Sequence, residues 1–119
     1  IKKIFTDYKN CISGMVHCTG GGQTKILHFI DDLHVCKNNM FNPPPIFQLI
    51  QSESKTSWKE MYKVFNMGHR MEIYLKKDVS SEIISICKSF NLDAKIVGYV
   101  EKSDDKKLTI HTPEGPIIY

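Results

Sequence analysis

The chain has almost no arginine. Of its 16 Lys+Arg residues only Arg70 is Arg, against 13 Asp+Glu, for a formal charge of +3. Proteins that read DNA sequence lean on Arg, whose planar fork pairs with guanine edges. The single Arg argues against a nucleic-acid partner and leaves an anionic metabolite as the fitting one. No apolar run approaches the ~18 residues of a membrane span, so no membrane partner is expected either. There is no C-x-x-C pair and no dense cysteine framework. Cys11, Cys18, Cys36 and Cys87 each lie in or beside an apolar stretch, where a reduced Cys behaves as a small hydrophobe. That reads as free thiols in a reducing cytoplasm. His28 and His34 with Cys18 and Cys36 match no common zinc spacing, so no metal site is expected. Signal and transit peptides are missing, and so is an initiator Met. The opening Ile1-Lys2-Lys3-Ile4-Phe5 reads as the middle of a helix, which suggests a piece of something longer.

What is present is the makeup of one globular domain. The 119 residues are 41% apolar and 24% charged. A chain of that length buries roughly two thirds of its unfolded surface without metal or disulfide staples. Ile1, Ile4, Phe5 and Tyr8 recur at helical spacing. Residues 12–18 alternate as a strand, with Ile12, Gly14, Val16 and Cys18 on one face. Thr19-Gly20-Gly21-Gly22 breaks it, and Ile26, Leu27, Phe29 and Ile30 predict a short helix just beyond. A short strand follows at Leu33–Lys37. Pro43-Pro44-Pro45 forms a rigid helix entry, and Ile46, Phe47, Leu49 and Ile50 give that helix an apolar face. Ser57-Trp58-Lys59-Glu60 has the form of a capping box. It starts a helix whose stripe is Trp58, Met61, Tyr62 and Phe65. Met71, Ile73 and Leu75 alternate as a strand. Asp78 is placed to cap a helix carrying Ile83, Ile84, Ile86, Cys87 and Phe90. Two strands near 94–101 and 107–112, turned at Ser103–Lys106, close the chain. Helices mixed with strands and at least one hairpin make the class α+β.

The segment that points to chemistry is His17-Cys18-Thr19-Gly20-Gly21-Gly22, between a strand and a helix. Three missing Cβ atoms let the backbone curl with its N–H groups inward and a ligand come close. A following helix adds exposed N–H groups and the positive end of its dipole. Thr19 offers a hydroxyl and Lys25 a charge. Phosphate is the ligand such a loop fits best; a plain strand-to-helix turn is the alternative. His17 could donate to a ligand or move a proton, or be merely structural. Asn66-Met67-Gly68 marks a second break, which by itself reads as a helix C-terminus.

Together these segments resemble one family. Gly14-Met15-Val16-His17-Cys18-Thr19-Gly20-Gly21-Gly22 is similar to its G-M-x-H-x-T-G-G-G element. Pro45-Ile46-Phe47 and Glu60-Met61-Tyr62-Lys63-Val64-Phe65-Asn66-Met67-Gly68 are similar to P-x-[IV]-F and E-M-[YF]-x-x-F-N-x-G. Ala94-Lys95-Ile96-Val97-Gly98-Tyr99-Val100 is similar to A-x-x-I-G-x-[IV]. The family is phosphoribosylformylglycinamidine cyclo-ligase, or aminoimidazole ribonucleotide synthetase, and the resemblance is to its C-terminal domain across nearly the whole chain, residues 1–119. It implies an α+β domain with a largely antiparallel or mixed sheet and helices packed on it. An N-terminal domain, which nothing here resembles, carries most of the ATP-binding residues and builds a homodimer. The implied reaction is the ATP-dependent closure of the imidazole ring of formylglycinamidine ribonucleotide. ATP and Mg are the implied cofactors, held mainly by that other domain, and the fragment alone is expected to be inactive. Carried over residue by residue, His17 is the catalytic candidate. Thr19, Gly20, Gly21, Gly22, Asn66 and Gly68 are the candidates for binding substrate or phosphate. Gln23-Thr24-Lys25, His28 and His69-Arg70 depart from the family's pattern. Two other readings stay open: a free-standing module that captures a phosphorylated metabolite, and a related ATP-dependent enzyme such as selenophosphate synthetase. The related enzymes begin the corresponding loop with a carboxylate, where this chain has His17.

Overall fold

The computed structural model describes all 119 residues. Ten helices and strands follow in chain order: α1 (Lys2–Tyr8), β1 (Ile12–His17), β2 (Leu33–Lys37), α2 (Pro45–Ser54), α3 (Trp58–Val64), β3 (Met71–Leu75), α4 (Ser80–Ser89), β4 (Tyr99–Lys102), β5 (Lys107–Thr112) and β6 (Gly115–Ile118). The class is α+β, as the sequence pattern predicts. Residues 1–16 and 71–96 form one compact unit, and residues 17–70 and 97–119 form another.

In the first unit β1 pairs with β3 in a two-stranded sheet. Ile4, Val16 and Ile83 are buried. The Tyr8 hydroxyl bonds to Glu82, linking α1 to α4, and that bond raises the phenol's pKa. An apolar groove of about 610 Å³ is lined by residues of both helices, among them Ile4, Ile86 and Phe90. Two sequence expectations change here. Asp78 does not cap α4; it lies in a 3-10 turn, Lys77–Val79, and Val79 holds the cap position without a side-chain bond. The turn is closed instead by Ser80, whose hydroxyl donates to the Lys77 carbonyl at 2.8 Å. On β3 the buried position is Glu72 rather than Met71 or Ile73. The Tyr74 hydroxyl donates to the Glu72 carboxylate, which supplies one of the hydrogen bonds that a buried charge requires.

The second unit is built on a four-stranded sheet of order β4-β2-β5-β6. β2 is central, antiparallel to β4 (Val35 opposite Val100) and parallel to β5 (Val35 opposite Leu108). The expected hairpin across Ser103–Lys106 is therefore not formed, because β2 lies between its two arms. The hairpin present is β5–β6, with Ile110 opposite Ile117. Residues 94–98 lie outside any strand, and pairing begins at Tyr99. Val35, Cys36, Leu108 and Ile110 are buried in the sheet, and Met61, Tyr62 and Met67 are buried beside it. Ser57 caps α3 as its sequence predicts, its hydroxyl accepting the Glu60 N–H at 3.2 Å. The apolar face expected on α2 is mostly open: Ile46 and Leu49 are exposed, while Phe47 packs its ring 5.6 Å from that of Phe65.

Tyr119 ties the C-terminus to α3, its hydroxyl donating to the Lys59 carbonyl at 2.5 Å. Burial, and then the charge of Glu60, push its phenol well above the ordinary value. The unfolded chain loses this proton near pH 10, whereas the folded chain keeps it. Above that pH the folded state binds more protons, so stability falls as pH rises from about 10. Tyr119→Phe removes the Tyr119 share of that fall and leaves the share of Tyr62, whose phenol burial also raises. It costs about 1 kcal/mol at neutral pH through the lost hydrogen bond. Urea melts of both proteins at pH 8 and pH 11 check the difference in slope.

Candidate functional site

Two loops separated widely in sequence meet in the second unit. β1 runs out into His17–Gly22, and residues 66–70 run into β3. The two loops lie side by side, where the Cys18 N–H donates to the Arg70 carbonyl at 2.7 Å. Strand alternation then sorts the side chains. Cys18 is buried, while His17 and Thr19 are exposed.

The glycine loop turns through three positive φ angles, +61° at Gly20, +140° at Gly21 and +51° at Gly22. A non-glycine residue rarely adopts these values, least of all that of Gly21. Within the loop the Thr19 N–H donates to His17 and the Thr24 N–H to Gly21, but those of Gly20 and Gly21 reach no backbone carbonyl. Their donors are left for something outside the backbone. Thr19 Oγ1 stands 3.4 Å from His17 Nδ1. Lys25 folds back over the loop and donates from Nζ to the Thr19 carbonyl at 2.9 Å. Two free N–H groups, a hydroxyl, an imidazole and an ammonium therefore gather at one open loop. All can donate a hydrogen bond and none is a carboxylate, so the arrangement suits an anion.

The short helix expected after the glycines is present, in 3-10 rather than α form. It is a seven-residue 3-10 helix, Gly22–His28, because Gly22 at φ +51° and the tight i−3 bond of Thr24 to Gly21 start a narrower turn. Its dipole is correspondingly short, and the loop's own donors carry the electrostatics.

Gly22 has a different task from its neighbours. A Cβ there would lie 2.5 Å from the Phe65 oxygen and 2.8 Å from both the Phe65 nitrogen and the Tyr62 oxygen. It allows the 3-10 helix to press on the end of α3. Gly22→Ala forces these backbones apart and is expected to cost about 2–4 kcal/mol. Urea midpoints of the two proteins measure it. Asn66 and Gly68 shape the second loop. The Asn66 side chain accepts the Gly68 N–H at 3.0 Å, and Gly68 sits at φ +141° with Phe41 close behind it.

Two residues that the sequence pattern does not single out as site residues hold the loops together. Gln23 is fully buried, and its Nε2 donates to the Asn66 carbonyl at 2.5 Å and the His69 carbonyl at 3.5 Å. Lys37, 2% exposed at the end of β2, donates from Nζ to both the Gln23 carbonyl and Gln23 Oε1 at 2.8 Å.

The family model described as AIR synthase related protein, C-terminal domain, matches residues 2–111. The chain belongs to this family. As an AIR synthase related C-terminal domain it is similar to three curated proteins named phosphoribosylformylglycinamidine cyclo-ligase. That of Methanopyrus kandleri is 30% identical over 102 residues, 86% of this chain and 29% of that protein. The Lawsonia intracellularis protein is 35% identical over 96 residues, covering 78% and 28%. The Syntrophus aciditrophicus protein is 32% identical over 108 residues, covering 83% and 29%. The domain thus spans less than a third of the length of these relatives. No helix is long and apolar enough to cross a membrane, and no disulfide joins the four cysteines.

Proposed function

We propose that the chain is the C-terminal domain of an ATP-dependent ligase that closes the imidazole ring of formylglycinamidine ribonucleotide. In this reading ATP transfers its terminal phosphoryl group to the formyl amide oxygen of the substrate. The neighbouring amine then attacks the activated carbon, and phosphate leaves, giving aminoimidazole ribonucleotide, ADP and phosphate. The observation that carries the reading is the glycine loop, where the N–H groups of Gly20 and Gly21 stand with Thr19, His17 and Lys25. Fixed donors aimed at a phosphate stabilise charge without reorganising at the moment of reaction. Thr19, Gly20 and Gly21 bind the phosphate group. Gly22, Asn66 and Gly68 set the loops that present it. His17, exposed beside Thr19, touches the ligand and is the candidate for proton transfer.

Mg²⁺ seeks several oxygen ligands, chiefly carboxylates and phosphates. The side chains at this loop are His17, Thr19 and Lys25, which do not fit that need, and no step is routed through the metal here. Mg and most contacts to ATP are assigned to an N-terminal domain, the second wall of the cleft, in a homodimer of the full-length protein. The names of the relatives, all cyclo-ligases, favour ring closure over a free-standing binding module. His17 in place of a carboxylate favours it over selenophosphate synthesis. The test is turnover by the full-length protein. ADP formation that requires formylglycinamidine ribonucleotide and yields aminoimidazole ribonucleotide supports the reading. ATP consumption driven by selenide or thiamine monophosphate in its place overturns it.

A further inference from the structure

A second group of reactive side chains lies on the four-stranded sheet, away in sequence from both loops. Successive side chains on a strand point to opposite faces. Val35, Leu108 and Ile110 are buried on one face. His34 on β2 and Thr109 on β5 therefore stand on the other. Glu101 on β4 is directly opposite His34 in the register and shares its face. The three side chains form one run of hydrogen bonds. Glu101 Oε1 lies 2.8 Å from His34 Nδ1, and His34 Nε2 lies 2.9 Å from Thr109 Oγ1.

The direction of these bonds follows from the partners. A carboxylate only accepts, so in the neutral imidazole Nδ1 carries the hydrogen and donates it to Glu101. Nε2 then has only a lone pair to offer, and it accepts the Thr109 O–H. The hydroxyl aims its proton at a base, and a carboxylate holds that base in the tautomer required. This is the order of roles in an activated hydroxyl nucleophile. Stability gives little reason for it. The Glu101 side chain is 52% exposed, and an ion pair so open to water contributes little. The hydroxyl is also approachable. Thr109 is half-buried, and its partner across β6 is the exposed Ile118. An apolar chain thus has a surface beside the oxygen. Lys107 is exposed on the same face, level with His34, and brings a cation to the patch.

We propose that Thr109 is an acylation site, primed by His34 and Glu101 to take the acyl group of an activated ester with a short apolar chain. Thr109 Oγ1 attacks the carbonyl carbon as its proton passes to His34 Nε2. An Oγ1–C bond forms, the bond from that carbon to the leaving oxygen breaks, and the oxygen departs with the electron pair. The imidazolium returns its proton to solvent, leaving a neutral His34 and an ester on Thr109. Thr109 is the nucleophile and His34 the general base. Glu101 is a positioning residue that acts through the imidazole.

The test treats the full-length protein with p-nitrophenyl butyrate and locates the butyryl groups by peptide mass. A butyryl group is expected on Thr109, removable by hydroxylamine as an ester is and a lysine amide is not. His34→Gln is expected to slow this labelling about 100-fold or more. Glu101→Gln is expected to slow it about tenfold or more, because its amide can donate to Nδ1 and hold the wrong tautomer. The urea midpoints of both variants are expected to stay close to wild type. A second readout needs no variant: the ¹⁵N resonances of neutral His34 are expected to show hydrogen on Nδ1 and none on Nε2. No ester on Thr109, equal labelling in His34→Gln, or hydrogen on Nε2 in the wild-type protein each overturns the proposal and leaves the three side chains as a tie between strands.

Discussion

Gly98→Ala is expected to have the largest effect on stability of any single-methyl change in the chain. A Cβ at this position would stand 2.0 Å from the Cys36 oxygen and 2.9 Å from both the Cys36 carbonyl carbon and the Lys37 Cα. These are backbone atoms of the central strand, not the tips of side chains that could swing aside. Tyr99, the next residue, pairs with Cys36 at the start of β4. The methyl can be housed only by moving β4 off β2. The expected cost is about 3 kcal/mol or more, at the upper end for overpacking, because the relaxation breaks a ladder rather than shifting a rotamer. Chemical denaturation of wild type and variant measures it. A loss under about 1 kcal/mol would mean that Gly98 does not sit against β2.

Gly21→Val is expected to have the largest effect on turnover. Gly21 stands at φ +140°, where a β-branched residue is strained, and its Cβ would touch that of Lys25 at 3.5 Å. The contact is ordinary in length, so the fold should survive. The loop should not keep its shape, and two further methyl groups would stand where the ligand approaches. The expected loss in the full-length protein is about 100-fold or more in kcat/KM, comparable to removing a preorganised donor from an oxyanion site. Far-UV circular dichroism should stay close to wild type. Wild-type kinetics would remove Gly21 from the site.

Local signals in the sequence translate well into this fold. The cap at Ser57, the proline entry to α2 and the alternation through β1 each depend on residues a few positions apart, and each is present as expected. The glycine loop was legible for the same reason: three consecutive glycines let the backbone take positive φ at little steric cost. The failures are nonlocal or turn on fine distinctions. Apolar residues at i, i+3 and i+4 favour an α-helix, but the segment is short and its first turn is set by the glycines, so Gly22–His28 winds as a 3-10 helix. The parallel pairing of β2 with β5 depends on which strands meet in space, which no short window shows. β6 is hidden by Pro116, which argues against a central strand but is admissible at the edge where β6 lies. Asp78 looks like a cap, yet the helix begins two residues later.

The site was legible in its parts and not in its support. His17, Thr19 and the glycines carry recognisable chemistry at recognisable spacing. Gln23 and Lys37 do not, because lysine at the end of a strand is ordinarily solvated, and nothing in the sequence marks this one as buried. Only the fold brings a β2 lysine, a glutamine after the glycines and the carbonyls of residues 66 and 69 into one network.

The central claim is that the glycine loop receives a phosphate group. The most direct measurement is a crystal structure of the full-length protein with formylglycinamidine ribonucleotide and a non-hydrolysable ATP analogue. The account predicts a phosphate within hydrogen-bonding distance of the Gly20 and Gly21 nitrogens and of Thr19 Oγ1. Both ligands bound elsewhere, with this loop open to solvent, would contradict it.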